Sequence, residues 1–394
     1  MSFAPLRERN FRLLWTSGCV MYFAVWMQTV GVSWLMASLT PSPLLVALVP
    51  AASSLAACLF ALAGGIMADR FALRRYVLSV QCCMLASAAL LWTVSLSPQV
   101  HPAALLGLTF LFGCLSALLA PAWHSGHCRA AAPEHLSDAI TLATIPYNLA
   151  RAAAPATAGM VIAGYGSSAV FGCAVAGFGA VIAMIRFLDP LGHIAPASPA
   201  ARAAGTDDIV GLARASRGCR PQLLRVGLFV ASGAGLIALL PALVRERLGG
   251  DAPAYGFLVA ASGVGAATGA ALLGALSRRY GRETVVGCAI LVCAATTLVI
   301  ARAHGREALL VLVWMTGAAW VMVVNAGIGA MQADISDAAR ARALGVFLVV
   351  FQGSGAFGSV LWGSVAERFG TTAALTASGA AFAVILLARA RLRP

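Results

Sequence analysis

The residues that could carry chemistry in this 394-residue chain are few, and most of them lie near the ends of long apolar stretches. All 27 basic residues are arginines, against 14 acidic residues. A chain without lysine cannot supply the phosphate-binding lysine of a P-loop or the lysine of a Schiff base. The sequence also contains no recognisable arrangement of serine, histidine and aspartate. It therefore predicts a protein that is not an enzyme.

Other patterns resemble ligand-binding motifs but have the wrong context. Residues 353–358 match GxGxxG, yet they lie inside an apolar stretch and follow no predicted strand, which argues against a dinucleotide site. His124, His127 and His135 are too loosely spaced for a typical metal site. The ten cysteines are scattered without a CxxC pair, which is typical of small buried side chains. We therefore expect neither a metal nor a cofactor.

Arg151 is the one charged residue that lies well inside an apolar stretch. If its helix begins near Asp138, Arg151 lies ~20 Å along it, past the middle of a ~30 Å hydrocarbon core. A guanidinium at that depth costs at least ~2.5–3.5 kcal/mol unless it faces protein or water. Two interpretations follow. Arg151 either attracts an anionic or electron-rich ligand in a cavity, beside Tyr147 and Asn148, or it binds backbone carbonyls between helices.

The elements that must position these residues are long apolar helices. The composition is 60% apolar and only 10% charged, with a mean hydropathy of +0.88, whereas soluble domains are roughly 25% charged. A membrane-crossing helix needs ~20 apolar residues, and its backbone groups must be satisfied internally. The sequence therefore predicts an all-α membrane protein with about twelve spans and excludes a soluble globular protein.

Breaks between the apolar stretches, among them a turn signal at residues 40–43 and a charged loop at 69–75, divide the chain into two halves of six predicted spans. We predict a first half at 1–187, a polar linker at 188–222 that carries several prolines and arginines, and a second half at 223–394. In the second half the spans are expected near residues 226–244, 252–277, 284–301, 308–333, 343–366 and 369–388.

Most of the arginines fall on one side of this predicted membrane topology. An even number of spans places both termini on that same side. Because arginine-rich loops remain in the cytoplasm, we expect a multi-pass protein of the bacterial inner membrane with both termini cytoplasmic. The net charge of +13 then follows from topology, and no nucleic-acid partner is needed to explain it.

A short motif recurs after the second predicted span of each half. It comprises a glycine, a polar pair and distal arginines: Gly65, Asp69, Arg70, Arg74 and Arg75 in the first half, and Gly274, Arg278, Arg279 and Arg282 in the second. Here the sequence resembles the major facilitator superfamily, although Ala72 and Leu73 depart from the usual signature. Residues 6–12, 148–155 and 350–370 further resemble the branch that contains the enterobactin exporter and bacterial transmembrane secretion effectors.

The resemblance implies twelve helices in two pseudo-symmetric six-helix halves that alternate access to a central cavity. It implies that Asp69 faces the positive N-terminal end of the eleventh helix and, with the motif arginines, gates the cytoplasmic side. Arg278 replaces this carboxylate in the second copy, whose role we expect to be mainly topological. Pro155, in a small-residue segment similar to a motif of family antiporters, is a further gating candidate. The implied substrate-binding residues are Tyr22, Trp26, Gln28, Asn148, Arg151, Trp320, Asn325 and Gln352.

The resemblance implies an exporter of a small amphiphilic molecule, a siderophore or a drug, that is driven by proton antiport. Carboxylates lie only near span ends, at Asp69, Asp138, Asp334 and Glu367. The proton carrier is therefore open between Asp69, Glu367 and a histidine, unless the mechanism differs. Uptake of a small metabolite and a non-transporting membrane scaffold are the alternatives. We expect a monomer whose partners are its substrate, protons and the lipid bilayer.

Overall fold

The computed structural model of the chain describes residues 2–189, 219–333 and 337–388. These residues form twelve long α-helices, short 3₁₀ helices at Ala4–Arg7 and Pro133–His135, and no β-strand. In chain order the helices are α1 (Arg9–Leu39), α2 (Pro43–Arg70), α3 (Leu73–Ser95), α4 (Pro102–Arg129), α5 (Leu136–Tyr165), α6 (Ser167–Ile185), α7 (Cys219–Arg247), α8 (Ala252–Tyr280), α9 (Arg282–Ile300), α10 (Arg306–Ala333), α11 (Asp337–Phe369) and α12 (Thr371–Ala388).

Local sequence signals explain where the helices begin and end. Ser42 caps α2, because its Oγ accepts a hydrogen bond from the backbone N–H of Leu45 at 3.3 Å, and Pro43 occupies the first turn. The α5–α6, α8–α9 and α11–α12 connections are each a single glycine with φ between 79° and 86°, a conformation that favours glycine. These glycines are Gly166, Gly281 and Gly370. Such short connections force successive helices to run antiparallel.

Two predicted boundaries differ from the structure. The predicted charged loop at 69–75 is mostly helical, since only two residues separate α2 from α3. The described part of α7 starts at Cys219, so the last four residues of the predicted linker are helical. The linker residues 190–218 lie outside the described part of the chain.

The outer surface of the bundle is apolar, as a membrane protein requires. Ten of the described helices are long and apolar enough to cross a membrane. The remaining two are α5, which contains Arg151, and α12, whose apolar part is the shorter Thr371–Leu386. Many large apolar side chains are more than half exposed, including Leu59, Met160, Leu291, Val311 and Val384. The predicted all-α membrane fold is confirmed.

Each half has its own core, and a third cluster joins the two halves. Phe11, Tyr76 and Phe178 belong to the core of α1–α6, and Phe229, Val286 and Phe382 belong to the core of α7–α12. The joining cluster includes Trp34, Leu239 and Tyr255. Across the interface, α2 packs against α11 and α5 packs against α8. Two internally packed halves that meet along a few helices can move relative to each other as units.

Because the helices alternate in direction, the bundle has two ends. The α2–α3 and α8–α9 connections lie at the same end as the start of α1. That end carries Arg70, Arg74, Arg75, Arg278 and Arg279, and we call it the arginine-rich end. The α1–α2, α5–α6, α7–α8 and α11–α12 connections lie at the other end, which we call the opposite end.

Candidate functional site: a central cavity between the halves

The centre of the bundle contains a cavity of about 270 Å³ between the two halves. Helices α1, α2, α4 and α5 line it from the first half, and α7, α8, α9, α10 and α12 line it from the second. Its wall is mainly apolar, with hydroxyl groups such as those of Ser33, Ser262 and Thr316. A mainly apolar wall with a few polar groups is typical of sites for small molecules.

Arg151 is the single charged residue among those that line this cavity. It lies where α8 approaches α5 closely, since a Cβ at Gly263 would lie 2.5 Å from the backbone oxygen of Arg151 and 3.1 Å from its Cγ. Within the described parts of the chain, the guanidinium forms no ion pair and no hydrogen bond. A cation without a counter-charge is costly at membrane depth. The cavity therefore favours a ligand that brings an anionic group.

Three further polar atoms of the cavity wall are buried and have no hydrogen-bond partner among the described residues. They are Trp26 Nε1, Gln28 Oε1 and Thr297 Oγ1. Buried polar groups are normally satisfied, so each such atom requires an explanation. Together with Arg151 they provide donors and an acceptor for the polar groups of a bound molecule.

An aromatic cluster lies next to Arg151 on the side of the arginine-rich end. Tyr147, one helical turn before Arg151, packs edge-on against Tyr22 with ring centroids 5.4 Å apart, and its ring lies 6.1 Å from Trp26. Tyr147 is 41% exposed although its neighbour Trp26 lines the cavity. Tyr147 thus presents an exposed aromatic face beside the cavity wall, on the side of the arginine-rich end. Aromatic faces beside a cation suit an amphiphilic organic anion.

The structure brings some of the predicted substrate-binding residues to the cavity and leaves others outside it. Those that line the cavity are Trp26, Gln28, Arg151 and Trp320. Tyr22 lies beside it through its contact with Tyr147. Three others are not part of its wall: Asn148, Asn325 and Gln352. Asn148 is exposed, and its Nδ2 donates instead to the backbone oxygen of Thr144 at 3.0 Å.

Polar contacts between the halves hold the α1–α2 turn at the opposite end. Glu367 Oε2 of α11 accepts hydrogen bonds from Ser42 Oγ at 2.7 Å and from the backbone N–H of Leu44 at 3.3 Å. On the other side of the turn, Arg245 Nη1 of α7 donates to the backbone oxygen of Thr40 at 3.3 Å. We call these contacts the opposite-end clamp. An anion meets the N-terminus of α2 and a cation meets the C-terminus of α1, as helix dipoles favour.

No sequence pattern predicts this clamp, although Glu367 lies near the end of a predicted span. Its partners are more than 200 positions apart along the chain. The turn residues 40–43 were a visible signal, but no local pattern pairs them with α7 and α11.

Close helix packing continues the closure below the clamp. A Cβ at Gly159 of α5 would lie 2.7 Å from the backbone oxygen of Ala252 in α8, and the backbone oxygen of Pro155 lies against Gly256. The rings of Trp34 and Tyr255 stack with centroids 5.7 Å apart. Small residues permit such backbone contact between membrane helices. The opposite end is therefore closed in this structure, and Pro155 lies within the closing contact.

The predicted gating arginines bond within their own halves or are exposed. Arg74 Nη2 donates to the backbone oxygen of Arg186 at 2.6 Å, and Arg282 donates to the backbone oxygen of Ala326 in α10. The exposed ones are Arg70, Arg75 and Arg278. The side chain of Asp69 lies outside the described residues, so its predicted contact with α11 stays a prediction.

The two motif glycines do not lie in close helix contacts in this structure. A Cβ at Gly65 would have no neighbour within 4 Å, whereas a Cβ at Gly64 would lie 2.6 Å from the backbone oxygen of Ala117 in α4. At Gly274 the nearest atom belongs only to the flexible side chain of Arg278, at 3.5 Å. In this arrangement Gly64, and neither motif glycine, permits close approach of two helices.

Comparisons with known proteins agree with this architecture. A family model described as transmembrane secretion effector matches residues 1–394. No curated protein matches the sequence at a significant level. Solved structures with a similar fold include the POT family transporter PepTSo, with a TM-score of 0.78, 12% identity, and coverage of 98% of this chain and 97% of that one. The nucleoside transporter NupG matches with a TM-score of 0.73, 15% identity and 98% coverage of both chains.

A third solved structure is a bacterial homologue of the human lysosomal transporter Spinster, in an inward-facing and unoccupied conformation. It matches with a TM-score of 0.75 and 12% identity, covering 97% of this chain and 95% of that one. At such identities the structures show the fold alone, whereas the family model covers the whole chain. The chain belongs to the transmembrane secretion effector family, within the major facilitator superfamily of membrane transporters.

Proposed function

We propose that this protein is an alternating-access exporter for a small amphiphilic organic anion, such as a siderophore or an acidic drug. The observation that carries the proposal is Arg151, the one charged residue on the wall of a mainly apolar cavity. An anionic group would meet the guanidinium, and an aromatic or aliphatic body would lie against Trp26 and the apolar wall. A cationic molecule of the same shape would be repelled by the uncompensated charge.

The distribution of contacts supports a rocking motion of the two halves. Each half keeps its own core, while the opposite end is joined by the clamp, the apolar cluster that contains the Trp34–Tyr255 stack, and the close packing of α5 on α8 and of α2 on α11. Opening this end requires these contacts between the halves to separate, but the core within each half does not have to be disrupted. A bound molecule drives the exchange only if it binds one arrangement more tightly than the other.

The proposal also covers the orientation of the protein in the membrane and the ion whose movement drives transport. The positive-inside rule makes the arginine-rich end cytoplasmic in the bacterial inner membrane, with both termini on that side. We propose proton antiport with Glu367 or Asp69 as the carrier, because no carboxylate is found among the residues that line the cavity. Protonation of Glu367 would weaken the opposite-end clamp. Asp69 and the motif arginines would hold the arginine-rich end when that end closes.

The proposal is tested with the full-length protein in proteoliposomes that carry a pH gradient. The probes are two fluorescent molecules with the same aromatic body, one with a carboxylate and one with a quaternary ammonium group. We expect transport of the carboxylate alone. Arg151→Gln should lower its rate at sub-saturating concentration by about 10- to 150-fold, since hydrogen bonds to charged groups contribute roughly 1.5–3 kcal/mol. Arg302→Gln, an exposed arginine at the opposite end, is the charge-matched control.

Equal transport of the two probes, or an undiminished rate in Arg151→Gln, would overturn the assignment of an anionic cargo. Uptake toward the cytoplasmic side would replace export by import. Deletion of the gene provides a test in cells, by comparison of secreted with intracellular siderophore. Normal secretion would remove the siderophore from the proposal.

A further inference from the structure

A second cavity lies on the outside of the second half, between α8, α9 and α10. Its volume is about 460 Å³, and it shares no lining residue with the central cavity. The helix α10 separates the two, since Thr316 and Trp320 face the central cavity while Met315 and Met322 face the outer one. We call the outer cavity the α8–α10 groove. Its wall is almost entirely apolar.

Exposed side chains line this groove, so it opens to the surroundings of the bundle. Cys288 of α9 is exposed, and Trp314 and Met315 of α10 are 38% and 36% exposed. At membrane depth the surroundings are lipid acyl chains. An apolar groove gains nothing there from the hydrophobic effect, and a chain is held in it by van der Waals contact.

One end of the groove is cationic. Tyr280 and Thr284 line it where α8 ends and α9 begins, at the arginine-rich end. The guanidinium of Arg279 lies 5.2 Å from the centroid of the Tyr280 ring. Arg278 and Arg279 are exposed, and neither forms an ion pair with any residue that the structure describes.

The other charges nearby are already engaged. Arg282 donates to the backbone oxygen of Ala326. Glu283, the nearest carboxylate along the chain, binds Arg225 with Nη1 and Oε2 2.9 Å apart. The mouth of the groove therefore presents Arg279 beside the Tyr280 ring and the Thr284 hydroxyl, and the exposed Arg278, the preceding residue of α8, adds to the positive local charge.

We propose that the α8–α10 groove is a binding site for one anionic phospholipid. An acyl chain fills the apolar groove, and the phosphate lies at the mouth against Arg279, with the charge of Arg278 nearby. Basic sites between helices at a membrane surface attract anionic headgroups, by about fivefold in affinity for each arginine. The cation–π contact with Tyr280 holds Arg279 at the mouth. The proposal does not depend on what the central cavity transports.

This site gives the second copy of the sequence motif a role of its own. Where the first copy has Asp69, the second has Arg278, which exchanges a carboxylate for a cation. A carboxylate would repel a phosphate, whereas Arg278 and Arg279 attract one. The α8–α9 connection thus lacks the carboxylate that the α2–α3 connection carries beside its arginines.

Native mass spectrometry of the purified full-length protein tests the proposal. The probes are phosphatidylglycerol and phosphatidylethanolamine with identical acyl chains, titrated separately. We expect phosphatidylglycerol to bind one site about 5- to 30-fold more tightly, and Arg278→Gln/Arg279→Gln to abolish that difference. Arg70→Gln/Arg75→Gln removes the same charge from exposed positions of the first half and should preserve it.

A second pair of variants tests the acyl-chain part of the site. Cys288→Trp fills the groove from an exposed position and should lower the affinity for both lipids by at least fivefold. Cys173→Trp, at an exposed cysteine of α6, is the control. Equal binding of the two lipids, an equal loss in both double-arginine variants, or full binding in Cys288→Trp would overturn the proposal. If Cys288→Trp converts a dimer to a monomer, the groove is instead an interface with a second copy of the chain, and that result would also overturn the proposal.

Discussion

Gly159 of α5 lies against the first turn of α8, and its replacement by alanine tests how the opposite end is closed. The added Cβ would lie 2.7 Å from the backbone oxygen of Ala252 and 3.0 Å from the Cα of Pro253. Both neighbours are backbone atoms, which cannot rotate away as a flexible side chain can. Because ordinary contact begins near 3.4 Å, α5 and α8 must separate by about 0.7 Å at this point.

The size of the effect follows from that overlap. One methyl group forced into a well-packed contact costs about 1–3 kcal/mol. An arrangement with the opposite end open relieves the overlap, so Gly159→Ala should shift the ratio of closed to open forms by about 5- to 150-fold toward the open form. Substitution of glycine by alanine inside a helix also stabilises the helix by about 0.5–1 kcal/mol, a separate effect that needs its own control.

Gly164→Ala is that control, because it lies on the same helix and a Cβ there would have no neighbour within 4 Å. The assay is pulsed electron-spin resonance between labels at Tyr165 and Arg302, exposed positions of the two halves at the opposite end. The exposed native cysteines are replaced in all samples. We expect longer distances in Gly159→Ala and an unchanged distribution in Gly164→Ala. Identical distributions in the two variants would refute the argument that backbone contact closes this end.

The remaining predictions concern contacts between charged groups. In the same distance measurement, Glu367→Ala and Arg245→Ala should each shift the ratio of open to closed forms by about fivefold toward the open form, because an exposed polar contact contributes about 1 kcal/mol. The effects of the two substitutions should add, since the two side chains hold different atoms of the α1–α2 turn. Glu307→Ala, an exposed acid at the same end, should leave the distances unchanged, and an equal effect there would point to surface charge alone. Arg225, whose side chain is 7% exposed, binds Glu283 and Gln222. Arg225→Ala should therefore lower the free energy of unfolding by about 1–2 kcal/mol, and with it the Tm of the purified protein. The exposed Arg220→Ala should not, and equal Tm values would show that the Arg225 contacts add no stability.

Much of the fold could be predicted because its physical cause is local. A backbone inside a membrane must satisfy its own hydrogen bonds, so each apolar stretch of sufficient length becomes a helix whatever lies beside it. Breaks such as the turn at residues 40–43 and the single glycine Gly281 lie where turn-forming or charged residues interrupt the apolar stretches. The charged stretch at 69–75 predicts a loop between two spans, because charged side chains are costly inside a membrane. At the membrane surface they extend a helix at little cost, and α2 and α3 are separated by only two residues.

The candidate site was predictable to a smaller degree. Arg151 could be found because a charge deep in an apolar stretch is costly and needs a reason to be there. Trp26, Gln28 and Trp320 also line the cavity, but Asn325 and Gln352 do not. Which face of a helix meets the cavity depends on how each helix rotates and tilts against its neighbours. No feature of the local sequence encodes that rotation when the helix is apolar on all sides.

The sequence by itself determined the kind of protein: its composition required a membrane solvent, its apolar lengths required helices, and its motif pointed to the major facilitator superfamily. Only the tertiary structure decided which groups meet. Glu367 binds the start of α2, Gly159 meets Ala252, and Gly64 rather than Gly65 touches α4. The physical reason is that solvent acts on every residue of a chain separately, whereas contact geometry depends on atoms that the chain brings together from hundreds of residues apart.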